Sequence, residues 1–242
     1  MLSEVYEDLN SFYTRMEPHH DTWELWIKGT KTQLETFEVA VGTILVQNTN
    51  WINVDKSMKN LKEAKILSYS DLLSLNQEKI EEIIKPAGFY KQKASYLISL
   101  AHLLSKAKGI PSREELLKCK GIGKETADSI LLYCFQQPVA IVGTYTRRFL
   151  ARYNGKANYL KCKYEDIQRE IHNDLKSGFK VLGRFHALIV CHCQNICQKN
   201  KPNCPDCVLM SKCIYRNHSQ TTSKIAEIQR LITYKPKRSR NK

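Results

Sequence analysis

Four cysteines set in a polar loop constrain this chain more than any other feature. Cys197, Cys204, Cys207 and Cys213 follow the spacing Cys-x6-Cys-x2-Cys-x5-Cys. Between them lie Lys199, Asn200, Lys201, Asn203 and Asp206, so the segment has almost no apolar content with which to fold itself. A metal centre would have to order it. Four thiolates this close together suit an iron–sulfur cluster or a structural zinc, and ligand chemistry alone does not choose between them. A disulfide framework is disfavoured. The nine cysteines are an odd number, and Met1 to Tyr13 carries Glu4, Glu7 and Asp8 with none of the basic residues that open a secretion signal. Cys119, Cys134 and Cys162 are scattered, and Cys191 and Cys193 read as small helical core residues.

Charge points to the partner. The formal net charge of the chain is +14. A surplus of this size favours a polyanion, and nucleic acid is the usual one. From Arg216 to Lys242 there are eight basic residues against the single acid Glu227. That stretch reads as a solvated, partly disordered basic tail. The remaining surplus lies on the body. No stretch approaches the roughly 20 apolar residues of a membrane helix, so no membrane role is expected. With 242 residues the chain has room for one or two domains and a core that needs no disulfides.

Apolar periodicity is helical nearly throughout. Phe37, Val41, Ile44 and Leu45 mark one face, and Val54, Met58 and Leu61 another. Two short helices are expected on either side of Asn76, the second stopped by Pro86-Ala87-Gly88. Ala94 to Leu104 forms the next helix, and Gly109-Ile110-Pro111 breaks it. Ser112 with Glu115 makes a capping box. Further helices are expected over Thr126 to Phe135, Thr144 to Tyr153, Tyr164 to Leu175 and Gly183 to Cys193. No sustained strand alternation, solenoid repeat or nucleotide-binding glycine loop is present.

The segment Leu116 to Asp128 holds a helix end, the turn Gly121-Ile122-Gly123 and a helix start near Thr126. Glycines there permit close backbone approach, and amides at the following helix N-terminus can hold a phosphate oxygen. Lys118, Lys120 and Lys124 surround the turn with positive charge. The plain alternative is an ordinary glycine helix cap. Phosphate contacts of this kind position nucleic acid without reading its sequence.

Taken together, the Gly121-Ile122-Gly123-Lys124-Glu125-Thr126-Ala127 turn and the cysteine loop some seventy residues later resemble the endonuclease III class of helix-hairpin-helix DNA glycosylases. The resemblance runs from about Phe37 to Cys213. It includes Val41 to Thr49, Ala87 to Ala94 and His186 to Val190. Gln47 to Trp51 and Tyr145 to Arg148 look closest to the endonuclease III-related branch, which includes 3-methyladenine glycosylases. The resemblance implies an all-α, two-lobed fold. Residues 34–139 would form a six-helix barrel lobe with the hairpin. Residues 1–33 and 140–215 would form the cluster-bearing lobe, and 216–242 the tail. It implies a [4Fe-4S] cluster, in preference to zinc, on Cys197, Cys204, Cys207 and Cys213. Lys199, Lys201, Lys212 and Arg216 would add a second phosphate-binding patch. Gln47 matches the residue that fills the gap left by a flipped base. Phe89 matches the wedge that enters the duplex, where an aromatic ring replaces lost stacking.

Two positions depart from the family pattern. The lysine that forms a Schiff base in bifunctional members is replaced by Glu125, which cannot form an imine, so a lyase of that kind is disfavoured. Lys124 is adjacent, but one residue turns a side chain by about 100° on a helix. The family aspartate that stabilises the developing sugar cation or activates water is replaced by Gly143, a loss expected to cost orders of magnitude in rate. Gly143 is then a substitution made to trap substrate, a natural change with Glu125 or Asp128 acting instead, or the mark of a lesion-binding relative without activity. Asp128 reads as a helix-surface residue. His186 reads as a hydrogen-bonded structural residue, and Trp23 and Trp26 as core rather than base pocket. Tyr145, Arg147 and Arg148 suit phosphate contact or helix salt bridges equally.

The expected function is therefore a monofunctional DNA glycosylase of base excision repair. It would act as a monomer on duplex DNA with an alkylated or otherwise damaged base, in the cytoplasm of a prokaryotic cell and associated with the nucleoid. The alternatives are a non-catalytic lesion- or structure-binding DNA protein of the same fold, and an endonuclease III-type glycosylase/lyase with altered catalytic residues.

Overall fold

The computed structural model describes residues 1–15, 26–217 and 222–234. Its helices are α1 (Leu2–Arg15), α2 (Gln33–Leu45), α3 (Trp51–Glu63), α4 (Tyr69–Leu73), α5 (Gln77–Ile83), α6 (Tyr90–Lys106), α7 (Arg113–Lys118), α8 (Lys124–Phe135), α9 (Thr144–Tyr153), α10 (Tyr164–Leu175), α11 (Phe179–Asn195), α12 (Ile214–Asn217) and α13 (Thr222–Thr233). Short 3-10 turns lie between several of them. No strand occurs among the described residues, and none of their helices is long and apolar enough to cross a membrane. The all-α expectation holds. Trp23 lies outside the described residues, as does the tail beyond Tyr234.

The chain divides into two compact units. One takes the described residues of His20–Ile141 together with Ser177–Gly183. Its helix starts are set locally. Thr32 and Glu35 form a capping box on α2, and Asn50, Ser68 and Asn76 accept from first-turn amides of α3, α4 and α5. Each such cap is worth about 1 kcal/mol. The expected break at Asn76 is this cap, and the expected Ser112–Glu115 box opens α7. From Phe37 to Leu45 every residue of α2 except Glu38 is buried, so this helix is apolar all round and sits inside the unit. It packs on α3, α6 and α8. Gly42 lets the Trp26 ring approach, since a Cβ there would lie 3.0 Å from it. Trp26 is a core residue, with the rings of Trp51 and Tyr133 5.4 and 5.2 Å away.

The other unit takes the described residues of Met1–His19, Val142–Lys176 and Arg184–Lys242. Helix α1 was not expected, although Leu2, Val5 and Leu9 stand at helical spacing and are buried. It packs on α10. Asp174 accepts from the Leu2 amide at 2.9 Å, and Arg184 donates to Asn10 at 3.0 Å. Helix α9 packs on the turn Ala157–Leu160 and on α12 and α13. The expected solvated tail is corrected between Thr222 and Thr233. Ile228 and Ile232, one helical turn apart, are buried against Ala151, Ala157, Tyr159, Leu160 and Tyr215. Burying two isoleucines is worth roughly 3–6 kcal/mol, which outweighs the mild local repulsion of a basic segment.

Candidate nucleic-acid interface and cysteine loop

The hairpin turn is held from α6. Tyr96 places its ring where a side chain on Gly121 would be, with ring carbons 2.2 Å from the ideal Cβ position. Gly121 also has φ +76°, so glycine is required there twice over. Ser99 accepts from the Lys120 amide at 3.0 Å. Gly123 differs. Its backbone is extended, and a Cβ there would meet nothing within 4 Å. Gly123 is the N-cap of α8, and no side chain caps that helix. A phosphate oxygen can serve as cap in such a place. Lys118, Lys120, Lys124 and Glu125 are exposed around it.

Gln47 reaches this hairpin. Its Nε2 donates to the Gly121 carbonyl at 3.3 Å and to the Thr126 hydroxyl at 3.2 Å. Gln47, Gly121 and Thr126, 79 residues apart at the extremes, therefore meet in one place. Phe89 is 58% exposed, so it is not a core aromatic. It follows Gly88 (φ +67°) and is itself left-handed at φ +48°, a conformation uncommon for a bulky side chain. The turn thus presents the ring to solvent at the start of α6.

Gly143 is buried and forms the uncapped N-cap of α9, with φ −94° and ψ −175°. Any residue adopts that backbone, so an aspartate would put no strain on the main chain. Gly143 belongs to the unit that carries the cysteines and Glu125 to the unit that carries the hairpin. Asp128 requires a correction. It is not on the helix surface but fully buried, and Arg113 binds both its oxygens, at 2.6 and 3.0 Å. A carboxylate committed this way is a structural ion pair and no substitute for the missing aspartate.

The arginines after Gly143 also differ from expectation. Arg147 donates to the carbonyls of Tyr159 and Cys162, at 3.0 and 2.9 Å. Arg148 donates to those of Cys193 and Cys197 and lies over the Tyr145 ring. Among the described residues neither makes the expected helix salt bridge. Among the patch lysines, Lys212 is taken by Asp8 at 2.6 Å, whereas Lys199 and Lys201 are exposed.

Cys197, Cys204, Cys207 and Cys213 are each half-buried, and Cys197 raises the pKa of the other three. Burial pushes Cys207 and Cys213 up to about 11. Cys197 goes the other way, held below the usual thiol range by a hydrogen bond from the Cys193 thiol and by the Arg152 guanidinium. Cys193, the donor, is buried in α11. Among the described residues no three His, Cys, Asp or Glu side chains converge on a single-ion geometry. The donor set nevertheless suits a thiolate-bound centre. Arg152 is 1% exposed and Arg148 7%, and apart from the Arg152 contact with the Cys197 sulfur their hydrogen bonds among the described residues go to neutral groups. Two buried positive charges need a negative group nearby, and metal-bound thiolates are one. His192 adds a contact, its Nε2 3.5 Å from the Cys207 sulfur and its Nδ1 3.2 Å from the Tyr13 hydroxyl.

Arg152, Gln229, Tyr96 and Lys93 did not stand out in the sequence. For Arg152 the only signal was its position one turn after Arg148 among apolar neighbours.

Comparison with known proteins agrees with this architecture. Residues 41–176 match the family described as HhH-GPD superfamily base excision DNA repair protein. A protein of Methanocaldococcus jannaschii named as a DNA repair glycosylase is 34% identical over 226 residues, covering 88% of this chain and 96% of that one. Endonuclease III of Thermotoga maritima is 28% identical, covering 78% of this chain and 87% of its own. The crystal structure of Helicobacter pylori 3-methyladenine DNA glycosylase bound to 1,N6-ethenoadenine superposes with a TM-score of 0.65 at 30% identity, covering 79% of this chain and 96% of that one.

Proposed function

Because the chain belongs to the HhH-GPD superfamily of base excision DNA repair proteins, a family of DNA glycosylases, we propose that it extrudes a damaged base from duplex DNA and cleaves its N-glycosidic bond with water. The observation that carries this reading is the Gln47 contact with Gly121 and Thr126, which joins a gap-filling side chain to the phosphate-binding hairpin. The Gly123 amide and the first turn of α8 would hold a backbone phosphate, with Lys118, Lys120 and Lys124 adding positive charge. Phe89 would enter the stack and Gln47 the vacated space. Lys199 and Lys201 would add phosphate contacts. The substrate class is an alkylated purine, whose positive charge already weakens the glycosidic bond. The enzyme would act as a monomer in the prokaryotic nucleoid, where its substrate lies.

Cys197, Cys204, Cys207 and Cys213 would hold a [4Fe-4S] cluster, whose chemistry here is structural, closing a loop that has no apolar core of its own. A brown protein with absorbance near roughly 400 nm supports iron–sulfur over zinc. A colourless protein that binds stoichiometric zinc overturns the cluster.

Catalysis turns on two slots. Glu125 forms no Schiff base, which supports a monofunctional hydrolase over a glycosylase/lyase with altered residues. Gly143 supplies no carboxylate, and this favours a second reading, a protein that binds lesions without releasing a base. The deciding experiment is single-turnover base release from methylated duplex DNA by the chain as it stands and by Gly143→Asp. Release by Gly143→Asp alone identifies position 143 as the catalytic slot. Equal release by both moves the search for the carboxylate to Glu125. No release by either, with tight lesion binding, favours the binding protein.

A further inference from the structure

Lys93 lies in the first turns of α6 and is only 2% exposed. Among the described residues it has no carboxylate partner. Its Nζ donates to the carbonyl of Leu45 at 2.8 Å and to that of Ala87 at 2.8 Å. Leu45 ends α2, two residues before Gln47, and Ala87 ends the 3-10 turn Lys85–Ala87, two residues before Phe89. Both are helix-end carbonyls, the groups a cation satisfies best. Burying an ammonium without an acid is costly, and a methionine would fill the same space without that cost. What the lysine adds is a fixed bridge between two loops.

We propose that Lys93 is a positioning residue that ties the Gln47 loop to the Phe89 turn, so that the gap-filling and wedge side chains engage DNA as one unit. This rests on the roles given above to Gln47 and Phe89. The chain of contacts is continuous within one unit of the fold. Phe89 sits on a turn whose Ala87 carbonyl is held by Lys93. The same ammonium holds Leu45, and Gln47 beyond it bonds to Gly121 and Thr126 of the hairpin. Wedge, gap-filler and phosphate hairpin are thereby linked in series. Burial also pushes the Lys93 ammonium down to about 8, as removal of a cation from water does.

The test uses short duplexes carrying 2-aminopurine beside a tetrahydrofuran abasic-site analogue, whose fluorescence rises when the stack is opened. Parent, Lys93→Met, Lys93→Gln, Phe89→Ala, Gln47→Ala and the Lys93→Met/Phe89→Ala double variant are compared for duplex affinity, thermal melting and fluorescence rise. Lys93→Met is expected to melt cooperatively and to bind duplex within about twofold of the parent, because phosphate contacts dominate affinity. Its stack-opening equilibrium should fall about tenfold, the value of a charge-assisted hydrogen bond. The double variant should be no worse than the poorer single one, since both act on the same step. Lys93→Gln, with two N–H donors on one nitrogen, should recover part of the signal.

A Lys93→Met signal equal to the parent's overturns the proposal. So do additive losses in the double variant, an equal loss of affinity and opening, or a Lys93→Met that no longer melts cooperatively, since the ammonium would then support the whole unit. If Phe89→Ala and Gln47→Ala both leave the signal unchanged, the roles given to those loops fall first, and the bridge between them with it.

Discussion

Gln229 accepts a 2.7 Å hydrogen bond from Nη2 of Arg152, 77 residues earlier in the chain. The same amide donates to the carbonyls of Lys199 and Asn200, at 3.0 and 3.3 Å. Arg152 in turn donates to the carbonyls of Cys197, Gln198 and Lys199 and to the Cys197 sulfur. One arginine and one glutamine therefore set the entry of the cysteine loop. Gln229→Ala is expected to cost about 1–3 kcal/mol, because it leaves a buried guanidinium short of a partner. If the loop holds the proposed cluster, the variant should lose its visible absorbance faster than the parent under a chelator. Equal bleaching rates would mean that the loop holds its shape without α13.

Gly121 and Gly123 sit two residues apart in one turn but are required for different reasons. Gly121→Ala would drive a methyl into Tyr96 and force a left-handed alanine. The expected cost is about 2–4 kcal/mol of stability. Among the described residues Gly123→Ala meets no protein atom, and its cost should stay at about 0.5–1 kcal/mol, that of a poorer N-cap. Its effect should appear in duplex binding, where the added methyl stands between the amides and a phosphate. Melting curves and duplex titrations of both variants check this. A Gly123→Ala protein with parental duplex affinity would take the turn out of the interface.

Gly143→Asp has a consequence for stability apart from activity. Position 143 is the N-cap of α9 and has no side-chain cap at present. An aspartate there accepts from a first-turn amide and meets the positive end of the helix, worth about 0.5–1 kcal/mol. The variant should melt no lower than the parent above pH 6. A clearly lower midpoint would show that desolvating the new carboxylate outweighs the cap.

Burial pushes His186 down to about 4, below the ordinary histidine value of 6.5. Between these values the unfolded chain takes up a proton that the folded chain refuses. The stability associated with neutral His186 is therefore complete above pH 6.5 and is lost as pH falls toward 4. The loss amounts to at most about 3 kcal/mol. His186→Gln should flatten the dependence of the melting midpoint on pH across this window. An unchanged slope would assign the acid sensitivity to other groups.

Local chemistry was legible in the sequence and long-range pairing was not. The caps at Asn76 and Ser112 and the bounds of α9 and α10 follow from residues within a few positions of each other. Helix α11 begins at Phe179, four residues before the start suggested by Gly183. That glycine is interior to the helix because the Tyr133 ring approaches it, leaving 3.2 Å to an ideal Cβ. Asp128, Lys93 and Arg152 all carry charge, and charge alone reads as surface. Their burial is decided by partners 15, 48 and 77 residues away, which no local pattern reveals. The basic segment after Arg216 misled for a related reason, since two isoleucines one turn apart fix α13 more strongly than its net charge loosens it.

The cysteine loop leans on α9 before it and on α13 after it. During synthesis the four thiols leave the ribosome before Gln229 does, and until then Arg152 lacks one of its partners. A nascent chain therefore passes through an interval in which its thiols are present but their seat is incomplete. Any metal centre at this loop would be acquired most securely after α13 has emerged and packed, which makes loading a late event in the life of the molecule.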